Sequence, residues 1–328
     1  SWGRPASGTE GRAVRTTHRA YSEEAGDFRL LCRFVQDHAP HLRLRGLWSI
    51  GRLVDWKYGL YEDKRACAAF CERNARLCFD GLGDLVGAVI SESGDADVAI
   101  LTTAGHRFLY EELLDWAQAN WGLRGPRMGI EVTEHQAYEV RVLERHGFGC
   151  EETFYVRRFD LTQPLAPRRP LEPGFAIVDM ESHPDYRGQR ILRDNAFSGI
   201  VDPSEATLRD HLEFYNHSHY GPVYHAPLDL CVMAEDGRLV SGCEGLLDAR
   251  NLEADIERVC THSDYRRRGF ARAVIQECLY RLQEIGMRAA YIAGYSPAAI
   301  ALYGSLGATE ETRAYVYRTV PDAASGPG

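Results

Sequence analysis

"THSDYRRRGFARAVIQ", residues 261–276, sets three consecutive arginines and a glycine directly before an apolar-periodic run, in a chain whose formal net charge is −9. Ile275, Leu279 and Leu282 recur at helical spacing, with Val274 and Cys278 beside them, and Gly286 ends the run. A strand, a short loop of arginine and glycine, and a helix N-terminus together make an anion-binding construction. The first helical N–H groups lack intrahelical partners, the helix dipole is positive there, and glycine lets a phosphate come close to the backbone. Two successive amides with Arg266, Arg267 and Arg268 match the charge of a pyrophosphate. On residue type alone, a solvated basic turn fits equally well.

The wider composition limits what that anion can be. The chain has 328 residues, 45% hydrophobic and 26% charged, enough material for two domains of ordinary globular character. Its acidic balance speaks against nucleic acid or an anionic membrane surface as partner and favours a cationic ligand. No apolar run approaches the ~20 residues of a membrane-spanning helix. The opening "SWGRPASGTEGR" and the closing "PDAASGPG" read as flexible tails. Nine cysteines without paired spacing point to reduced thiols and a cytoplasmic setting. Cys67 and Cys71 stand four apart, but no second Cys or His pair completes a zinc site, so no metal is expected. Lys57 and Lys64 are the only lysines, a usage typical of GC-rich coding and of a bacterial source.

A Pro-rich stretch, "DLTQPLAPRRPLEPGF" at 160–175, divides the chain into comparable parts. An offset of 160 superposes Gly147 on Gly307, Glu151 on Glu311, Tyr155 on Tyr315, Val156 on Val316 and Arg158 on Arg318. These matches sit at equivalent places in both parts, which argues for a duplicated fold. Each part reads alike: a strand, helical segments, a meander of three strands ("ARLCFD", "DLVGAVISES", "DVAILTT"; then "LDLCVMAE", "RLVSGCEGLLDA", "ADIERVCTH"), and alternating helix and strand to the end. Ser204 reads as the N-cap of a helix in the second part. The expected order there is βααβββαβαβ, a mixed α/β sheet. Domains are expected at 13–160 and 174–320, with a linker at 161–173.

The Arg266–Ala271 loop resembles the GNAT superfamily of acyl-CoA-dependent N-acyltransferases, whose signature is Gln/Arg-x-x-Gly-x-Gly/Ala between the fourth strand and the next helix. Arg266-Arg267-Arg268-Gly269-Phe270-Ala271 fits it without a gap. "SPAAIALYGSLGA" is similar to the family's Asn-x-x-Ala-x-x-x-Tyr-x-x-x-Gly-Phe, with Ser296 in place of Asn and Ala308 in place of Phe. The resemblance covers roughly 170–320, and 13–160 more weakly. It implies a tandem duplication of the GNAT fold and acetyl-CoA as acyl donor. The pyrophosphate would lie at 266–271, the pantetheine arm along Val259, Cys260 and Thr261, and Ser296 would face the cofactor. The first part lacks the signature: its loop "LTTAGHRFLYEELL" has only Gly105, and Leu143 stands where Tyr303 stands in the second. The N-terminal copy is therefore expected to be degenerate, a two-domain build that also resembles mycothiol synthase.

Acyl transfer to an alkylamine, pKa near ~10, needs a base for the amine and a proton for the departing thiolate. Tyr303 occupies the family's donor position, against an alternative as a packed core tyrosine. Glu257, on the strand that should carry the thioester, is the candidate base, with a structural salt bridge as its alternative and Glu244 as a second carboxylate. Strand alternation predicts Glu257, Val259 and Thr261 on one face and Arg258 and Cys260 on the other. Direct transfer to a primary amine of a small cationic acceptor is expected, since no histidine partners Cys260 for an acyl-cysteine route. A non-catalytic acyl-CoA-binding or interaction module is the competing expectation. "DYRGQR" at 185–190 lacks the signature spacing and reads as an ordinary helix start. His217, His219 and His225 lack the carboxylate or cysteine spacing of a metal site and read as surface histidines or one lining the acceptor pocket, while Trp56, Tyr58 and Tyr61 read as packing residues, against an alternative as the lining of a cleft between domains. A monomer or weak dimer is expected.

Overall fold

A computed structural model describes residues 15–42, 44–59, 67–216 and 223–321. The first half runs β1 (Thr17–Ala20), α1 (Asp27–Leu42), α2 (Ile50–Tyr58), α3 (Phe70–Asn74), β2 (Ala75–Phe79), β3 (Leu85–Ser91), β4 (Asp97–Thr102), α4 (Leu109–Trp121), β5 (Gly129–Thr133), α5 (Ala137–Arg145) and β6 (Phe148–Asp160). The second runs β7 (Phe175–Asp179), α6 (Tyr186–Ser198), α7 (Glu205–Asn216), β8 (Asp229–Ala234), β9 (Leu239–Asp248), β10 (Glu253–Thr261), α8 (Phe270–Glu284), β11 (Ala289–Gly294), α9 (Pro297–Gly304) and β12 (Glu310–Thr319). The βααβββαβαβ order expected for the second half is the order found. Ser204 caps α7, its Oγ accepting from the Thr207 amide at 3.1 Å. Asp185 caps α6 by accepting from the Gly188 amide at 2.8 Å, so "DYRGQR" is a helix start.

All twelve strands form one sheet in the order β1-β2-β3-β4-β5-β12-β6-β11-β10-β9-β8-β7. The last strands are exchanged between the halves: β12 pairs with β5, and β6 pairs with β11. At the centre β6 and β12 lie antiparallel to each other, with Phe154 opposite Ala314. Gly147 and Gly307, equivalent under the 160-residue offset, both adopt left-handed backbone (φ +79 and +83) before these strands, as the turn requires.

Alternation along the strands sends apolar side chains to both faces. One face carries α1 and α2, packed through Leu31, Leu53 and Trp56, and this cluster reaches across to Leu246 and Tyr291 of the second half. On the other, α8 buries Val274, Ile275, Cys278 and Leu282 against Ile256, Ala290 and Ile292. Each such aliphatic side chain contributes ~1.5–3 kcal/mol on burial. Trp56 is fully buried and donates from Nε1 to the Ser91 carbonyl at 3.0 Å, a core residue. Tyr58 packs at the edge of the same cluster against Phe28. Tyr61, His217 and His219 lie outside the described residues. His225 precedes a short 3-10 turn at Ala226–Leu228.

Candidate active site

The site begins where β10 and β11 part. Their parallel ladder joins Glu253–Asp255 to Ala289–Tyr291 and then ends. Beyond Asp255, the side of β10 turned towards β11 has no ladder partner, which leaves peptide groups available to an extended ligand. On the other side β10 pairs with β9, Glu257 opposite Glu244 and Cys260 opposite Gly242. Two residues, Arg258 and Val259, thus oppose the single Cys243, which is a β-bulge.

The bulge corrects the expected alternation. Val259 packs with Ile256 against the α8 cluster, while Cys260 joins a separate cluster with Leu192 of α6. One inserted residue reverses the facing of everything after it. Glu257, Val259 and Thr261 therefore do not share a face.

Arg258 occupies the bulge at φ +53, left-handed for a residue with a side chain, at ~1–2 kcal/mol. Its guanidinium donates to Glu244 Oε2 at 2.7 Å and to Asp55 of α2. Hydrogen bonds to charged groups contribute ~1.5–3 kcal/mol each, enough to offset that strain. Glu244 is also paired with Arg193 at 3.5 Å, and Arg193 with the fully buried Asp229 at 3.3 Å. Gln189 and Tyr224 donate to the same Asp229. Burial and the neighbouring Glu244 both push the Asp229 carboxyl up.

Glu257 is reached by solvent, yet protein stands around most of it. Loss of hydration, followed by the nearby Asp255, pushes its carboxyl up to about 8, with Arg258 and Arg52 opposing. Tyr303 of α9 is 7% exposed, its ring packed over Gly294 of β11. Burial holds its phenol well above the ordinary range, and Glu257 is the largest charge acting on it. Among the described residues its hydroxyl has no hydrogen-bond partner. Glu257 and Tyr303 thus lie on opposite faces of the sheet, on either side of the gap between β10 and β11. A carboxyl group and a phenol set on either side of an opening between two strands suit a substrate threaded through it.

The Arg266–Ala271 loop follows β10 directly. Gly269 caps α8 in left-handed conformation (φ +86), and Arg267 shares that region at φ +64. Arg266 and Arg267 are exposed at the helix N-terminus. Arg268 is engaged: it is ion-paired with Glu172 and lies over the rings of Phe175 and Phe270 at 4.8 and 5.0 Å. Arg169, which sequence reasoning passed over as part of the Pro-rich stretch, takes its place beside the loop. A Cβ on Gly269 would stand 3.0 Å from its guanidinium carbon. Its own amide is tied to Gln276 of α8 at 3.0 Å. The loop therefore fits a pyrophosphate, with Arg266, Arg267 and Arg169 as cations and the α8 amides as donors. Ser296 caps α9 by accepting from the Ala299 amide at 3.2 Å, so part of its hydroxyl's capacity is structural. Thr261 Oγ1 lies 3.0 Å from Ser241 Oγ. Burial raises the Cys260 thiol to about 11.

Residues 200–308 match the family model of the acetyltransferase (GNAT) family. The chain carries a GNAT acetyltransferase domain. Solved structures extend the GNAT likeness to the fold of nearly the whole chain. A tandem GNAT protein from the clavulanic acid biosynthesis pathway aligns with a TM-score of 0.63 and 11% identity, over 93% of this chain and 98% of that one. A GCN5-related N-acetyltransferase from Sphaerobacter thermophilus aligns with a TM-score of 0.58 and 18% identity, over 92% and 95% of the two chains. A GNAT acetyltransferase from Colwellia psychrerythraea gives 0.58 and 13%, over 93% and 100%. No curated protein matches the chain. The fold is thus a tandem GNAT arrangement on one mixed sheet.

The first GNAT-like half keeps the parting of strands, since β4 and β5 pair only at Asp97–Gly129 and Val98–Ile130. Its chemistry differs. Arg107, the one arginine of its loop, is bidentate to Glu139 at 3.0 and 2.8 Å, and Leu143 is fully buried. What this half brings to the GNAT domain is a wall. Arg52 of α2 bonds Glu92 and Glu131, and Glu131 accepts from Tyr295, just after β11, at 3.1 Å. Tyr295 also stacks on Phe154 with ring centroids 4.2 Å apart. Arg52, Glu92, Glu131 and Tyr295 border a cleft of about 260 Å³ that also receives Asp95, Asp97, Glu152 and Arg318. Five carboxylates against two guanidinium groups leave it net acidic. Among the described residues, no group of three or more His, Cys, Asp or Glu is arranged to hold a metal ion, and no helix is long and apolar enough to cross a membrane.

Proposed function

We propose that this protein is an N-acetyltransferase that moves an acetyl group from acetyl-CoA directly to a primary amine of a small, cationic acceptor. The chemistry belongs to a domain at 174–320, joined by the 161–173 linker to a domain at 13–160 that shapes the acceptor cleft. One observation carries the reading: Glu257 and Tyr303 flank the gap between β10 and β11, at the head of the Arg266–Ala271 loop. Glu257, with its carboxyl near 8, takes the ammonium proton more readily than an ordinary carboxylate. The amine then forms the C–N bond at the thioester carbonyl, the C–S bond breaks, Tyr303 gives its proton to the sulfur, and the second proton shed by the nitrogen restores the Tyr303 phenol. The high pKa of Tyr303 keeps it in the donating form. Cys260, a thiol at neutral pH, is a poor nucleophile, which supports direct transfer.

The acidic cleft bordered by Glu92, Glu131 and Tyr295 supports a cationic acceptor. Nine free cysteines support a reducing, cytoplasmic setting. The exchange of strands within one chain supports a monomer or weak dimer.

The test is calorimetric titration with acetyl-CoA and CoA, beside Gly269→Asp, followed by thiol release over a panel of amines. One site per chain, abolished by the substitution, and turnover with a cationic amine are expected. Binding without turnover on any amine would favour the non-catalytic module, and no binding would overturn the acyl-CoA reading altogether.

A further inference from the structure

We infer that the Pro-rich stretch is a wall of the cofactor site and more than a spacer between the halves. Gln276 of α8 holds it so that Arg169 lends its charge to the CoA pyrophosphate from outside the Arg266–Ala271 loop. This rests on the acyl-CoA reading above, which puts the pyrophosphate at that loop.

The stretch is stiff before anything binds. Pro164, Pro167, Pro170 and Pro173 recur at every third residue, the period of an extended polyproline helix, which needs no internal hydrogen bonds and has little freedom left to lose. At that period Leu165, Arg168 and Leu171 fall along one edge, and Ala166, Arg169 and Glu172 along another. The two leucines pack against the α8 core. The polar contacts then run in order along α8. Tyr280 donates from its hydroxyl to the Ala166 carbonyl at 3.2 Å, and Arg168 pairs with Glu277 at 2.9 Å. One turn nearer the helix N-terminus, the buried Gln276 uses both ends of its amide. Its Oε1 accepts from the Arg169 N–H at 3.0 Å, and its Nε2 donates to the Pro167 carbonyl at 3.0 Å. Glu172 reaches the loop itself, where it pairs with Arg268. One side-chain amide closed on a donor and an acceptor two residues apart fixes both the place and the direction of the backbone between them.

That hold delivers Arg169 to the bare side of Gly269. A Cβ there would stand 3.0, 3.2 and 3.3 Å from its Cζ, Nε and Nη1, so any side chain at 269 would push the guanidinium aside. Among the described residues the Arg169 guanidinium makes no hydrogen bond or ion pair, and Glu172, three residues on, is engaged by Arg268. Of the loop's own arginines, Arg268 is thus neutralised, and Arg266 points two of its nitrogens at the Thr261 and Ala196 carbonyls at 3.5 and 3.4 Å. Arg169 stands beside the first-turn amides of α8 with its charge uncommitted, which is the state a phosphate oxygen requires of a charge-assisted partner.

The experiment is calorimetric titration with CoA and with dephospho-CoA, which keeps the pyrophosphate and lacks the 3′-phosphate. Wild type is compared with Arg169→Gln, Arg169→Lys, Gln276→Met and the double variant Arg169→Gln/Gln276→Met. Arg169→Gln is expected to weaken both ligands about tenfold, the weight of one charge-assisted hydrogen bond. Its gap to wild type should close as NaCl is raised towards ~1 M. Arg169→Lys, which keeps the charge without the fork, should retain more affinity than Arg169→Gln. Gln276→Met preserves buried volume and should weaken both ligands by a similar factor. The double variant should bind no more weakly than Arg169→Gln alone, because Gln276 acts through Arg169; a merely structural glutamine would add its own loss. Should Gln276→Met fail to fold, the exposed Arg169 variants decide the matter by themselves. The proposal is overturned if Arg169→Gln binds both ligands as wild type does, if only CoA is weakened, if lysine is no better than glutamine at 169, or if the losses of the two single variants add. A wild type that binds neither ligand removes the acyl-CoA reading, and this proposal with it.

Discussion

Phe154 and Ala314 face each other on adjacent antiparallel strands at the centre of the sheet, and they are separated by the same 160 positions that relate the two halves of the sequence. Each half therefore meets its own equivalent there, and each surrenders its last strand to the other half's fifth.

Residues 174–321 produced alone are expected not to form a stable monomer, because β11 and β12 would lose β6 and β5 and expose unpaired edges. Arg157 would also be absent from its 2.7 Å pair with Glu311. Light scattering should find aggregates or strand-exchanged dimers, and co-expression with residues 15–160 should restore a soluble complex. A well-behaved monomer of the second half alone would show that the exchange is dispensable.

Tyr303→Phe is expected to lower turnover by roughly 100-fold, the usual weight of a general acid. Acetyl-CoA affinity and thermal midpoint should change little, since the hydroxyl has no hydrogen-bond partner among the described residues and the ring stays packed over Gly294. Unchanged turnover would remove Tyr303 from the chemistry.

Turnover through Glu257 requires its carboxylate, and with a carboxyl pushed up to about 8 the rate should rise with pH across the range around 8 and level off above it. Asp255 is the largest charge raising that value. Asp255→Asn should accordingly move the midpoint of the pH–rate profile to lower pH, and Glu257→Gln should abolish the limb. A profile flat from pH 6 to 9 would exclude Glu257 as the base.

Asp255 has a second consequence, for stability. Burial raises its carboxyl to about 7, against an unfolded value of ~3.9. Below the unfolded value both states hold the proton and the native state has its full advantage. As pH rises towards 7 the unfolded chain releases its proton first, and stability is lost until the folded carboxyl also ionises. Urea midpoints at pH 4 and pH 8 should show Asp255→Asn gaining on wild type by on the order of 2 kcal/mol at the higher pH. An identical pH slope in both proteins would contradict the shift.

The elements of the second half were legible because their signals are local. Ser204, Asp185 and Gly286 mark helix ends by hydrogen bonds within a turn, and the Arg266–Ala271 loop declares itself within six residues of sequence. The repeat was legible too, as a fixed offset of 160. Arg169 was not, because its approach to Gly269 depends on how the Pro-rich stretch lies along α8. The facing of Val259 and Cys260 was misread for a related reason. A bulge is a mismatch between two strands, and one strand's sequence does not contain it.

By itself, then, the sequence determined the mixed α/β elements, the duplication and the arginine–glycine loop that only the second half carries. Only the tertiary structure decided that β6 and β12 change places, that Arg258 is gripped by Asp55 and Glu244, and that Glu257 and Tyr303 stand on opposite faces of the sheet beside the gap between β10 and β11. Helix caps, turns and amphipathic periods are written over three to eight neighbouring residues. Strand exchange, bulges and inter-half ion pairs are settled by which distant surfaces pack together, and that competition is resolved only when the whole chain has folded.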